Sequence, residues 1–327
     1  MQATRNGTTY NSQTYGYDPT SRVSSVTSGG QTATYAYYPT SGLLNTTTFT
    51  GGTNLARVYD SFGRLQSITT TPAADAAVSY AYTYNNLNQR TRVTREDGSY
   101  WSYAYDDRGE LIFGKKYWSD NSPVVAQQNE YVFYSLGNRI STLAGGDSSG
   151  ANLRSASYTT NSLNQYSQRT VPGAADIIGS AAAAANVTLN CQGAYRRGEY
   201  FAQTLTLSNT ASPVYAQANI TGVRTGAGPG GQDVVTNQSG YVYLPKTPEA
   251  FTYDLDGNLT SDGRWTYTWD AENRLTSMTA LSSVPNAARK KLEFVYDSMS
   301  RRVQKKVYGL ERNHCRLPTA IYDEVHL

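Results

Sequence analysis

The sequence predicts an all-β chain: a tandem array of stacked hairpins, interrupted once by a smaller β-sandwich-like module. Three observations carry this. An aromatic–Asp phrase returns along the chain, the residues entering it alternate with period two, and one long segment drops the phrase while keeping strand-like composition. In the phrase an aromatic, usually tyrosine, precedes Asp or Asn; turn-forming residues, a polar or basic residue and an aliphatic one follow. It reads Tyr17-Asp18-Pro19-Thr20-Ser21-Arg22-Val23, then Tyr59-Asp60-Ser61-Phe62-Gly63-Arg64-Leu65 and Tyr105-Asp106-Asp107-Arg108-Gly109-Glu110-Leu111. It returns as Tyr253-Asp254-Leu255-Asp256-Gly257-Asn258-Leu259, Trp269-Asp270-Ala271-Glu272-Asn273-Arg274-Leu275 and Tyr296-Asp297-Ser298-Met299-Ser300-Arg301-Arg302-Val303. Degenerate copies begin at Tyr38, Tyr84, Tyr134 and Tyr158. A recurring phrase marks one supersecondary unit used many times.

The strands come from alternation. Tyr80, Tyr82 and Tyr84 share one face, as do Trp101, Tyr103 and Tyr105, and Trp265, Tyr267 and Trp269; Ser, Thr and Ala fill the other. Period two means strand. The turns come from the phrase itself. Asp or Asn bonds its own backbone and starts a turn, and the Gly, Asn or Ser that follows accepts the left-handed conformation. Asp97-Gly98 and Asp262-Gly263, each between strand-like runs, predict two-residue hairpin loops. Tyr17, Tyr38 and Tyr59 stand 21 residues apart, as do Tyr84 and Tyr105. That spacing holds two strands and two turns. A lone hairpin is marginal in water, so the units must stack, and ring-on-ring contacts between aromatics are expected to hold them.

Composition agrees. Hydrophobic residues are 39%, but 28 residues are tyrosine and only 16% are charged, which argues against both an aliphatic globular core and disorder. The net charge of +3 is concentrated between Arg289 and Lys306, where seven Lys/Arg face Glu293 and Asp297. With no nucleic-acid-binding module around it, this reads as a solvated basic hairpin, and no nucleic-acid partner is expected. Cys191 and Cys315 define no disulfide framework. Met1-Gln2-Ala3-Thr4-Arg5 opens no apolar leader core, and no run is long enough for membrane insertion as a helix.

The phrases resemble the YD repeats of the Rhs/YD-repeat family, over roughly 10–172 and 250–308. The resemblance implies that the hairpins wind into a spiral β-sheet shell or stalk. It implies a fragment of that shell, whose partners are the remainder of a larger Rhs-type polypeptide or its effector, at a secreted or cell-surface location. The core motif and toxin that end the complete toxin-type proteins have no counterpart in this sequence, so self-cleavage and toxin activity do not carry over. The domains expected are repeats over 1–171, an inserted module over 172–249, repeats over 250–308 and an aberrant tail over 309–327. Within the insert, Gly179-Ser180-Ala181, Val187-Thr188-Leu189-Asn190 and Leu205-Thr206-Leu207 faintly resemble a bacterial Ig-like module.

Motifs that look chemical read as architecture. Gly146-Asp147-Ser148-Ser149-Gly150 fits a nucleophile elbow in letters, but it lies in a turn cluster and the only histidines, His314 and His326, are in the tail. Gly226-Ala227-Gly228-Pro229-Gly230-Gly231 is followed by strand-like residues rather than the helix a phosphate loop needs. Asp254, Asp256 and Asn258 have calcium-loop spacing, yet Trp265 stands where the bidentate Glu belongs. Asp106 and Asp107 are a carboxylate pair in a hairpin turn with no cleft around them. No enzyme activity, cofactor, catalytic residue or metal ligand is expected. The repeat-defining residues are Tyr17, Asp18, Tyr59, Asp60, Gly63, Tyr105, Asp106, Gly109, Tyr253, Asp254, Gly257, Trp269, Asp270, Tyr296 and Asp297. The alternative is a surface adhesin that binds carbohydrate through the insert.

Overall fold

The structure, a computed structural model, describes residues 2–5 and 8–309. His314, Cys315, His326 and the rest of the expected tail from 310 onward lie outside the described residues. Among the described residues all regular structure is antiparallel β apart from two three-residue 3-10 turns, Pro229–Gly231 and Asn286–Ala288. No helix there is long and apolar enough to cross a membrane.

The chain divides into two compact units, the first ending at Val124 and the second beginning at Val125. In the first, strands from Thr8–Tyr17 to Leu111–Tyr117 lie side by side in sequence order. In the second, Arg139–Gly145, Leu153–Thr160 and Tyr166–Arg169 continue the same plan, and the last of these pairs with Glu249–Ala250. Strands from Thr252–Tyr253 to Arg302–Gly309 form a further six-stranded sheet, again in sequence order.

Residues 174–244 form two small sheets of their own. One holds Ala174–Ser180, Tyr200–Thr206 and Tyr195–Arg197; the other holds Gln192–Gly193, Asn186–Leu189, Val214–Arg224 and Val234–Leu244. Alternate positions point inward, so Val187, Leu189, Phe201 and Ala218 are buried between the sheets, while Ala202, next to Phe201, is buried on the opposite face. The Gly226–Gly231 run is the tip of the long hairpin between Arg224 and Val234.

Two expectations are corrected. The spacing of 21 through Tyr38 counts from the wrong tyrosine. Tyr37 ends the strand, and Tyr38 occupies the place Asp takes elsewhere; Phe133 and Tyr134 repeat this offset. The two Asp-Gly loops are not alike: Gly263 and Arg264 alone separate Asp262 from Trp265, whereas the Asp97-Gly98 loop is longer than two residues. At Asp97-Gly98, the Gly98 N–H donates to the Arg95 carbonyl and the Arg95 N–H to the Ser99 carbonyl, with Gly98 at φ 79°. That is a three-residue loop closed by a left-handed bulge residue. Gly263 keeps a negative φ and is needed for space: a Cβ there would stand 2.7 Å from Glu249 Cγ.

Candidate functional site

The phrase builds one recurrent device, a turn clamp. At Asp60, Oδ1 accepts from the N–H groups of Phe62 (2.9 Å) and Arg64 (3.0 Å), and Oδ2 accepts from Arg64 Nε at 2.7 Å. The Asp60 N–H donates to the Arg64 carbonyl, the Gly63 N–H donates to the Asp60 carbonyl, and Gly63 sits at φ 75°. Asp18 with Arg22, Asp270 with Arg274 and Asp297 with Arg301 reproduce every part, with Ser21, Asn273 and Ser300 in the left-handed position. Asp254 gives Oδ2 to the Asn258 amide instead. Asp106 takes the N–H groups of Arg108 and Glu110, with Gly109 left-handed. Asn85 and Asn161 keep the Oδ1 acceptor without the charge.

The carboxyls are held below their usual range. At Asp270 the Arg274 N–H is the main cause, followed by its guanidinium. At Asp60 removal from water pushes the carboxyl up, but the Arg64 guanidinium and the N–H groups of Arg64 and Phe62 outweigh it.

Each turn also carries a bulge. Tyr17 pairs with Val23 while Gly16 pairs with Ser25, so the returning strand holds one extra residue. The same shift precedes Tyr37, Tyr59, Tyr84, Tyr105, Phe133, Tyr253, Trp269 and Tyr296. The aromatic then reaches back to the preceding repeat. Tyr37, Tyr59, Tyr84 and Tyr105 donate their hydroxyls to the carbonyls of Val23, Leu44, Leu65 and Arg90 at 2.7–3.0 Å. Trp269 Nε1 does the same to Leu259 at 2.8 Å. Each acceptor is the first residue of the strand leaving the previous turn.

The ring-on-ring expectation holds in part: Tyr59 meets the Tyr38 ring edge-on at 5.9 Å, and the Tyr158 and Tyr166 rings lie 5.3 Å apart. Three other rings are covered by the preceding repeat's arginine: Arg22 lies 4.4 Å from the Tyr37 ring centre, Arg64 4.8 Å from Tyr84 and Arg274 5.5 Å from Tyr296. Ring pairs occur elsewhere, as at Tyr100–Tyr117, stacked at 5.2 Å. Asp, Arg and Tyr thus form one chain of contacts from turn to turn. The bulge and the hydroxyl bond were missed because both depend on the neighbouring strand, although the recurring aromatic at each strand end was their visible signal.

The clamp passes over the insert. Tyr253 donates to the Tyr166 carbonyl at 3.0 Å across 87 positions of sequence. Arg169 and Glu249 pair as strand neighbours and as an ion pair, and Glu249 Oε1 accepts from the Gly263 N–H. Asn209, 2% exposed, ties the entry and exit of the module by donating to the carbonyls of Val171 (3.2 Å) and Pro245 (2.9 Å). The module is also seated on the repeats. Tyr215 and Tyr243 pack on Val284 and Ala288, and the Tyr243 hydroxyl, pushed up to about 12 chiefly by burial, donates to the Gly263 carbonyl.

The chemical-looking motifs fall into these frames. Asp147–Gly150 is itself a turn of the clamp type: Asp147 Oδ1 accepts from the Ser149 N–H and hydroxyl and the Ala151 N–H, and Gly150 is left-handed. Ser149, by side chain and then backbone, holds the Asp147 carboxyl at about 2. Ser148 is exposed at the second turn position. Asp254 spends both oxygens on its own turn, and among the described residues no group of three or more His, Cys, Asp or Glu side chains could hold a metal ion.

No family model matches the chain. A tRNA nuclease WapA of Bacillus subtilis is 44% identical over 66 residues, which are 20% of this chain and 3% of that protein. The tRNA3(Ser)-specific nuclease WapA of Bacillus spizizenii matches to the same extent. The chain spans only a small fraction of the length of these relatives. Among solved structures, a TcdB2-TccC3-Cdc42 crystal structure is 16% identical, covering 85% of this chain and 13% of that one, with a TM-score of 0.42. A Photorhabdus luminescens Tc holotoxin pore is 15% identical over 87% of this chain and 14% of that one, with a TM-score of 0.40. The fold described above rests on the strand pairing itself.

Proposed function

We propose that this chain is a non-enzymatic structural array, a stretch of an Rhs/YD-repeat shell or surface stalk. It encapsulates or displays an effector carried elsewhere on a longer polypeptide, at a secreted or cell-surface location. The observation that carries this reading is the turn clamp. It joins successive repeats at Tyr37, Tyr59, Tyr84, Tyr105 and Trp269, continues across the insert through Tyr253 and Tyr166, and spends its charged groups on backbone and neighbouring side chains. The match to WapA supports the reading, since a segment of 66 residues of this kind recurs in a much longer polypeptide named as a nuclease.

The test is protease protection. The complete open reading frame is expressed, and trypsin digestion of the sequence flanking the repeats is followed with and without the repeat region. Slower digestion with the repeats present supports encapsulation; equal rates overturn it.

A second reading, carbohydrate binding by the insert, draws on a cavity of about 230 Å³ between its two sheets, lined by Val187, Phe201, Ile220 and Val234 with Gln238. A glycan array probed with the whole chain tests it, and no bound sugar ends it.

A further inference from the structure

The long hairpin of the insert ends its sheet. In the four-stranded order Val234–Leu244 comes last, and among the described residues no strand pairs with its outer side. It pairs with Val214–Arg224 from Arg224↔Val234 to Val214↔Leu244 without a register shift. Residues Val234 to Tyr241 are exposed in succession, with Val235 at 53% and Tyr241 at 57%.

Such an edge is a template for another strand, and proteins ordinarily blunt it with charge, proline, a bulge or brevity. Three other edges among the described residues are blunted. Gln192–Gly193 has two residues, Tyr195–Arg197 is short and carries Arg196 and Arg197, and Arg302–Gly309 carries Lys305 and Lys306. Val234–Leu244 has eleven residues, none charged and none proline. It also contains Gly240, where a Cβ would meet nothing within 4 Å in its own chain. Glycine inside a strand weakens it and marks a place where another backbone comes close.

We propose that this edge is an interface between two copies of the chain, joined as antiparallel strands across a two-fold axis at Gln238. A two-fold axis normal to a sheet keeps each side chain on its own face. With Gln238 on the axis, Val235 therefore stands opposite Tyr241 of the second copy, and Asn237 opposite Ser239. On the other face Val234 meets Val242, and Thr236 meets Gly240, the one position without a side chain to crowd it. Pairing with itself sets any charge of a strand near its own copy, where like charges repel; this strand has none. A second copy brings the same uncharged strand in a register that repels nowhere, so it is the occupant that fits.

Sedimentation of the full chain over a range of concentrations tests this. A twofold rise in mass is expected as concentration increases. Gln238→Lys places two cations face to face on the axis and should return the protein to a monomer with an unchanged far-UV circular dichroism spectrum. An equimolar mixture of Gln238→Lys and Gln238→Glu should restore the twofold mass. A wild-type monomer at every concentration, a dimer unaffected by Gln238→Lys, or a mixture that stays monomeric overturns the proposal.

Discussion

The repeats up to Val124 and the module between Ala174 and Leu244 are both antiparallel β, yet different forces hold them. Over residues 12–124 only Thr47, Ser99, Gly114 and Val124 are buried, so the first unit has almost no apolar interior. It is ordered by polar bonds that recur at each turn, each worth about 0.5–1.5 kcal/mol net, with a guanidinium laid on a ring beside many of them. The module has no turn clamp. It buries Val187, Leu189, Phe201 and Ala218 between two sheets, as a small domain does. A repeat array whose strands bond sideways can trade an apolar core for many modest local terms, whereas an isolated insert of seven short strands cannot. Damage to the array should therefore stay local, and damage to the module should spread through it.

The largest effect that would break this contrast is at Phe201. Phe201→Ala should cost about 3–5 kcal/mol of module stability, because it leaves a cavity at the centre of two sheets. Hydrogen exchange should show the whole of 174–244 losing protection while strands before Val124 keep theirs. Next is Asn209→Ala, which strands the carbonyls of Val171 and Pro245 at the base of the module. It should cost about 1–3 kcal/mol, with exchange rising first at Val171 and Thr247.

In the array, Gly63→Ala should cost about 1–2 kcal/mol, since the left-handed position is strained by any Cβ, even where space is open. Thermal melts should place it below Phe201→Ala. Tyr59→Phe removes a single hydroxyl bond to Leu44 and should cost about 1 kcal/mol, read as faster exchange confined to strands Leu44–Phe49 and Asn54–Tyr59.

The smallest effect sharpens the contrast by pH. Folded-state lowering of carboxyl pKa values means that the stability they add is complete above the ordinary value of about 3.9 and is lost as pH falls through it. The lowered carboxyls Asp18, Asp60, Asp106, Asp254, Asp270 and Asp297 all lie in repeat turns. Exchange protection in the repeats should therefore fall before that of the module as pH drops from about 4 toward 2. Asp60→Asn should flatten this dependence at its own turn while keeping the turn formed, as Asn85 and Asn161 do.

Much of the architecture was written locally. Asp at a strand end followed by a left-handed Gly, Asn or Ser is a short-range device, and Asp60, Asp270 and Asp297 could be read from a few neighbouring residues. The turn at Asp147 was legible for the same reason. The turns at Phe49, Arg95 and Trp118 close with the same backbone bonds, Gly52, Gly98 and Asn121 being left-handed, but no aromatic–Asp phrase marks them. The offset at Tyr37 was hidden because two adjacent tyrosines both fit the phrase, and only the bulge register distinguishes them.

The sequence by itself determined that this chain is β over its described residues, where its repeat turns form, and that residues near 172–249 do something else. It did so because turn chemistry and period-two alternation act over a few residues. The tertiary structure alone decided where the repeat tyrosines bond, what covers their rings, and how Tyr253 takes up the array again at Tyr166. Those contacts join residues 10 to 87 positions apart, and a hydroxyl finds its carbonyl only once the neighbouring strand is in place. The role of Gly263, beside Glu249, and the open edge at Val234–Leu244 were likewise settled by strand order, which spacing along the chain does not encode.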